Sequence, residues 1–118
     1  MAIEALRDIQ RNAVSAFQVG GGGSANVGSA TIDFGAFPGS SEASVNVTGQ
    51  GSILTTSYAF AFIQSNDTTA DHTANDHAYA AALIGLVCGS FVAGTGFTIK
   101  AICPDRLCGT FKVRFMWI

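Results

Sequence analysis

Two alternating runs near one end of the chain constrain its fold more than any other feature. They lie in GFTIKAICPDRLCGTFKVRFMWI, residues 96–118. Phe97, Ile99 and Ala101 alternate with Thr98, Lys100 and Ile102. Phe111, Val113, Phe115 and Trp117 alternate with Thr110, Lys112, Arg114 and Met116. Successive residues of a strand point to opposite faces, so each run presents one large apolar face. The intervening CPDRLCG carries turn residues, which predicts a β-hairpin. A lone hairpin is marginal in water, so its apolar face demands a second sheet from the rest of the chain. The same parity places Phe111, Val113, Phe115 and Trp117 in the interior. Met116 and Ile118 then lie on the opposite face, against a neighbouring molecule.

A chain of 118 residues is one domain with a small appendage, and it can bury a core without staples. Only 12% of its residues are charged and 48% are apolar, where about a quarter charged is usual. Such a composition suits a β-protein that hides surface in an assembly. No apolar run approaches the roughly eighteen residues of a membrane span, so no membrane partner is expected. The opening MAIEALRDIQ is charged and has no apolar core, so it does not read as a secretory signal. Residues 12–99 contain no Lys or Arg, whereas Lys100, Arg106, Lys112 and Arg114 crowd residues 100–118. That asymmetry fits either charge complementarity between subunits or a plainly solvated surface. A net charge of −2 argues against nucleic acid as a partner. Cys88, Cys103 and Cys108 form an odd set, which predicts free thiols in a reducing compartment. Cys103 and Cys108 flank the expected turn, where a bridge is geometrically possible.

Residues 1–19 read as a separate attachment segment, helical or extended. Ile3, Leu6, Gln10, Ala13 and Phe17 fall at spacings of three and four, a short heptad-like stripe. The stripe either packs on its own β-domain, docks on a neighbour or bundles with copies of itself. Gly20-Gly-Gly-Gly-Ser24 has the composition of a flexible tether, and no GK[ST] follows to make it a phosphate loop. The linker is assigned to residues 20–28 and the β-domain to residues 29–118. Within that domain, residues 30–34 and 44–48 alternate. Ile53 to Ile63 reads as a central or interface strand, with Tyr58, Phe60 and Phe62 on one face. Tyr79 to Val87 is read as a further strand. Six or seven short strands make the chain all-β, an antiparallel β-sandwich or a jelly-roll-like barrel.

One polar stretch carries chemistry-bearing side chains. Asp67, Asp71, His72, Asp76 and His77 sit within QSNDTTADHTANDH, residues 64–77. Oxygen and imidazole ligands at this density are able to hold a divalent cation. The alternative is a loop whose Asp and His cap turns or bond across a subunit interface. HExxH, the DxDxDG calcium loop and GxSxG are all absent from the sequence. The chain is therefore expected to be no enzyme and to hold no metal or cofactor. The residues assigned to interfaces are Ile3, Leu6, Phe17, Met116, Ile118, His72 and His77.

Three stretches, ATIDFGAFPGSSEASVNVTGQ (residues 30–50), TADHTANDH (69–77) and VAGTGFTI (92–99), occur in this order. In them the chain resembles small β-rich structural proteins of tailed bacteriophages and prophages. The resemblance covers the β-domain and leaves out residues 1–28. It implies a virion component, assembled in the host bacterial cytoplasm: a capsid decoration or cement protein, a head fibre or a fibre tip. Self-association, as a homotrimer, is expected through the β-domain. Residues 1–19 would engage the major capsid protein or another virion protein. The alternative is a receptor- or glycan-binding tip. Tyr79 or Trp117 would stack there on sugar rings, while Asp and Asn of residues 64–76 bond hydroxyls.

Overall fold

The two alternating runs become strands, but they do not form one hairpin. A computed structural model describes residues 25–118. The segment 1–19, with Ile3, Leu6 and Phe17, lies outside the described residues. The elements are β1 (Asn26–Asp33), β2 (Ser40–Val47), β3 (Ala59–Phe62), α1 (Ala74–Leu83), β4 (Gly85–Val92), β5 (Gly96–Leu107) and β6 (Thr110–Trp117). They build two antiparallel three-stranded sheets, ordered β1-β6-β3 and β2-β5-β4. The chain is mostly β, as its sequence indicates.

The expected hairpin is replaced by a crossing between sheets. β5 is the central strand of one sheet and β6 of the other. The reason lies in their apolar faces. Phe97, Ile99, Ala101 and Cys103 of β5 are buried, and so are Phe111, Val113, Phe115 and Trp117 of β6. Side by side in one sheet, these faces would point the same way and leave half a core missing. In separate sheets they share one cluster, and Phe97 meets Phe115 edge-on with ring centroids 5.4 Å apart. Each buried Phe, Ile or Val side chain among them contributes about 1.5–3 kcal/mol relative to exposure. The crossing turns at Gly109, whose φ of +81° favours glycine. The true hairpin joins β4 to β5 through residues 93–95, with Gly94 at φ +73°. Cys88, Cys103 and Cys108 are all free thiols.

Three other expectations need correction. β1 begins at Asn26, so Asn26 to Gly28 belong to a strand rather than to the linker. Gly28 stands opposite Phe115, and a Cβ there would lie 2.6 Å from the ring. The run from Ile53 gives only the four residues of β3, at a sheet edge rather than in the centre. Residues 79–83, read as strand, belong to α1. Thr73 caps this helix: its hydroxyl accepts from Asp76 N–H while the Asp76 carboxylate accepts from Thr73 N–H. This reciprocal cap and the run of alanines override the strand reading. The second half of that run does extend, as β4.

Trp117 is 4% exposed and donates its indole N–H to Gln50 Oε1 at 2.8 Å. Trp117→Ala removes both the ring and that bond. It is expected to cost about 3–5 kcal/mol, read as a lowered midpoint in chemical denaturation with the slope unchanged. A midpoint like that of the parent would mean the ring carries no core.

Candidate interaction surface

β6 pairs with β1 along its whole length but with β3 only from Arg114 to Trp117. Tyr58 and Ile118 extend that pairing, each donating its N–H to the other's carbonyl at 3.0 and 2.9 Å. Even-numbered residues of β6 therefore turn their backbone groups toward β3. Beyond Phe62 no strand among the described residues remains to meet them, and a bare strand edge is a liability. Side chains from residues 64–77 take the strand's place. His77 Nε2 accepts from Lys112 N–H at 3.0 Å, and Asp71 Oδ2 accepts from Thr110 N–H at 2.9 Å. The Thr69 hydroxyl donates to Thr110 O at 2.8 Å. The polar stretch is thus a side-chain substitute for the missing half of β3.

This network fixes the role of each candidate metal ligand. Asp67 grips Arg114 through both carboxylate oxygens, at 2.8 and 2.7 Å, and its side chain is 7% exposed. The Arg114 bonds, opposed by burial, hold the Asp67 carboxyl below the usual range. Hydrogen bonds from Thr110 do the same for Asp71. The Thr73 backbone bond, with His72 second, does so for Asp76. His77 is fully buried. Its Nδ1 bonds Thr73 O at 2.9 Å. A backbone N–H can only donate, so Nε2 is the acceptor and the proton sits on Nδ1. With both nitrogens engaged inside the chain, His77 offers nothing to a subunit interface, which corrects its assignment. His72 is half-buried, stacked on Phe111 at 4.1 Å, with Nε2 on Cys108 O at 2.7 Å and Nδ1 3.2 Å from Asp76. Among the described residues, no group of three or more His, Cys, Asp or Glu converges on a metal position. Burial pushes the half-buried Cys88 thiol up to about 11.

The surface that remains unexplained is the outer face of the β1-β6-β3 sheet. Register places Val27, Met116 and Phe60 in one cross-strand row, and Ser29, Arg114 and Phe62 in the next. Tyr58 and Ile118 add a further row through their backbone pairing. Six of these eight side chains are large and apolar. Val27 is 75% exposed and Tyr58 71%, while Met116 and Ile118 are half-buried. Met116 and Ile118 do lie on the face opposite Trp117, as their parity predicted. The other sheet differs. Its outer rows read Glu42, Ile102, Gly85; Ser44, Lys100, Val87; and Asn46, Thr98, Gly89. Lys100 lies 3.8 Å from Glu42 there, and Thr98 donates to Asn46. Val87 and Ile102 are exposed on this second face, but they stand among polar side chains. On the first face the apolar rows adjoin at the Tyr58–Ile118 end and give way to Thr31–Lys112 and Asp33–Thr110 at the other.

Sequence reasoning missed Val27, hidden beside the glycine-rich stretch, and it gave Trp117 a possible stacking role that burial excludes. It also passed over Phe37, 88% exposed at the rim of a cleft formed with Asp33, Asp71 and His72. Comparison of the chain with protein-family models, curated proteins and solved structures finds no match. The surface is therefore read from its own chemistry.

Two outcomes test the substitute strand. His77→Phe keeps an aromatic ring but strands Lys112 N–H without an acceptor. A cost of about 1–3 kcal/mol is expected in thermal or chemical unfolding. Asp67, Asp71 and Asp76 all titrate below the ordinary aspartate value of about 3.9. Their contribution is complete above that value and is lost as pH falls through the folded values. The melting temperature should therefore fall steeply below about pH 4. Asp67→Asn should lower it at neutral pH and shallow the acid limb.

Proposed function

We propose that this chain is a bacteriophage virion structural protein, a capsid decoration or cement protein or a head-fibre component. Its β-domain self-associates through the outer face of the β1-β6-β3 sheet. Residues 1–19, with Ile3, Leu6 and Phe17, dock it on the particle, on the major capsid protein or another virion protein. The two sheets are read as an antiparallel β-sandwich, because β5 and β6 contribute to one shared cluster. A homotrimer is the assembly favoured by the sequence resemblance.

The observation that carries this reading is the apolar outer face itself. Val27, Tyr58, Phe60, Phe62, Met116 and Ile118 lie on neighbouring rows of one sheet. Burying such side chains against another protein surface is favourable in proportion to the apolar area removed from water. The low charge of the chain supports the same choice, as does the closer grouping of apolar side chains here than on the other sheet, where Val87 and Ile102 stand among polar neighbours. Arg114, held by Asp67 beside Phe62, supplies a fixed charge at the rim.

Val27→Asp and Ile118→Asp place a carboxylate on this face without entering the core. Both variants are expected to keep the parental melting behaviour as far as the monomer is concerned. Both should shift the mass by size exclusion with light scattering from oligomer to monomer. Removing residues 1–23 should leave a folded oligomer that no longer binds particles in co-sedimentation. An unchanged oligomer mass in both aspartate variants would refute the choice of face, and full particle binding by the truncated chain would refute the division of labour.

A further inference from the structure

We propose that the cleft between the β1–β2 loop and the β5–β6 crossing is a binding site for a neutral sugar. The inference rests on no part of the assembly reading, since the cleft lies away from Val27, Tyr58 and Ile118.

The cleft has a volume of about 450 Å³, room for one or two sugar rings. Gly35 and Gly109, two of its lining residues, belong to a backbone ladder. Phe34 N–H donates to Gly109 O, and Gly109 N–H donates to Gly35 O at 2.8 Å. Its walls are polar groups that the fold has already locked. Asp33 Oδ1 accepts from Gly35 N–H at 2.8 Å. Asp71 Oδ2 accepts from both the N–H and the hydroxyl of Thr110. The His72 ring is fixed between Phe111 and Cys108 O. Each carboxylate keeps its second oxygen free of any bond to the described residues. Both carboxylates line the cleft and can each accept from a sugar hydroxyl, and the bonds that hold them leave little ordering to oppose binding.

Phe37 supplies the other half of the chemistry. At 88% exposure it is the most exposed large apolar side chain among the described residues, and it lines this cleft. A pyranose presents hydroxyl edges and an apolar C–H face. A phenyl ring at the rim takes the face while the carboxylates take an edge. The pattern of a few placed polar groups with an apolar wall is that of a small-molecule site. Anionic sugars are disfavoured, because the Thr110 bonds keep Asp71 ionised and Asp33 stands beside the same cleft.

The test is saturation-transfer difference NMR on the full chain, which tolerates an oligomer. The probes are D-glucose, D-galactose, D-mannose and N-acetyl-D-glucosamine, with choline as a cationic control. Ring-proton signals are expected from at least one neutral sugar. Phe37→Ala, which touches no core, should weaken that binding by roughly tenfold. Asp33→Asn keeps an acceptor for Gly35 N–H and should weaken it as well. Neither variant should alter oligomer mass. No signal from any of the four sugars would overturn the proposal. A signal unchanged in both variants would overturn it too, as would binding of choline alone, which would mark a cation site instead.

Discussion

The structure depends on one constraint: two strands with large apolar faces must bury them against each other. β5 carries Phe97, Ile99, Ala101 and Cys103, and β6 carries Phe111, Val113, Phe115 and Trp117. Neither face has a partner in its own sheet. Placing each strand at the centre of a separate sheet satisfies both, and it fixes the rest of the topology. The remaining strands flank one centre or the other, and the chain crosses between sheets at Gly109. The Phe97–Phe115 ring contact joins the inner faces of the two sheets.

A second constraint follows from the first. A central strand needs hydrogen-bond partners along both edges, and β3 is four residues long where β6 has eight. The polar stretch 64–77 completes the edge with side chains, and the capping box of α1 holds that stretch in place. Asp67, Asp71 and His77 thus act as structural ligands of a strand. A single compact network explains why so many titratable residues are gathered in an otherwise weakly charged chain. It also ties α1 to the sheet, because His77 is at once a helix residue and the acceptor for Lys112 N–H.

The two outer surfaces then differ in chemistry. The β2-β5-β4 sheet meets water with Glu42, Ser44, Asn46, Thr98 and Lys100, with Val87 and Ile102 exposed among them. The β1-β6-β3 sheet carries adjacent apolar rows. The Phe37 cleft sits at one end, built from loop backbone and side chains already held by the network. The proposed assembly face and the proposed ligand cleft occupy separate regions, so use of one does not require the other to be covered.

Parity was legible in the sequence. The alternation of residues 110–118 determined that Trp117 points inward and that Met116 and Ile118 point away, because a strand has no other way to place neighbours. The β character and the free thiols were equally local matters. Pairing was not legible, because strand partners are chosen by long-range burial and the turn between residues 103 and 109 is compatible with both a hairpin and a crossing. The helix at 74–83 was signalled by Thr73 and Asp76, a cap recognisable from spacing, but the apolar run beyond it drew the strand reading. The roles of Asp67, Asp71 and His77 were decided only by tertiary structure. Their partners, Arg114, Thr110 and Lys112, lie more than thirty residues away; the shortness of β3 left the backbone of Thr110 and Lys112 in need of them, and Arg114 meets Asp67 through its side chain.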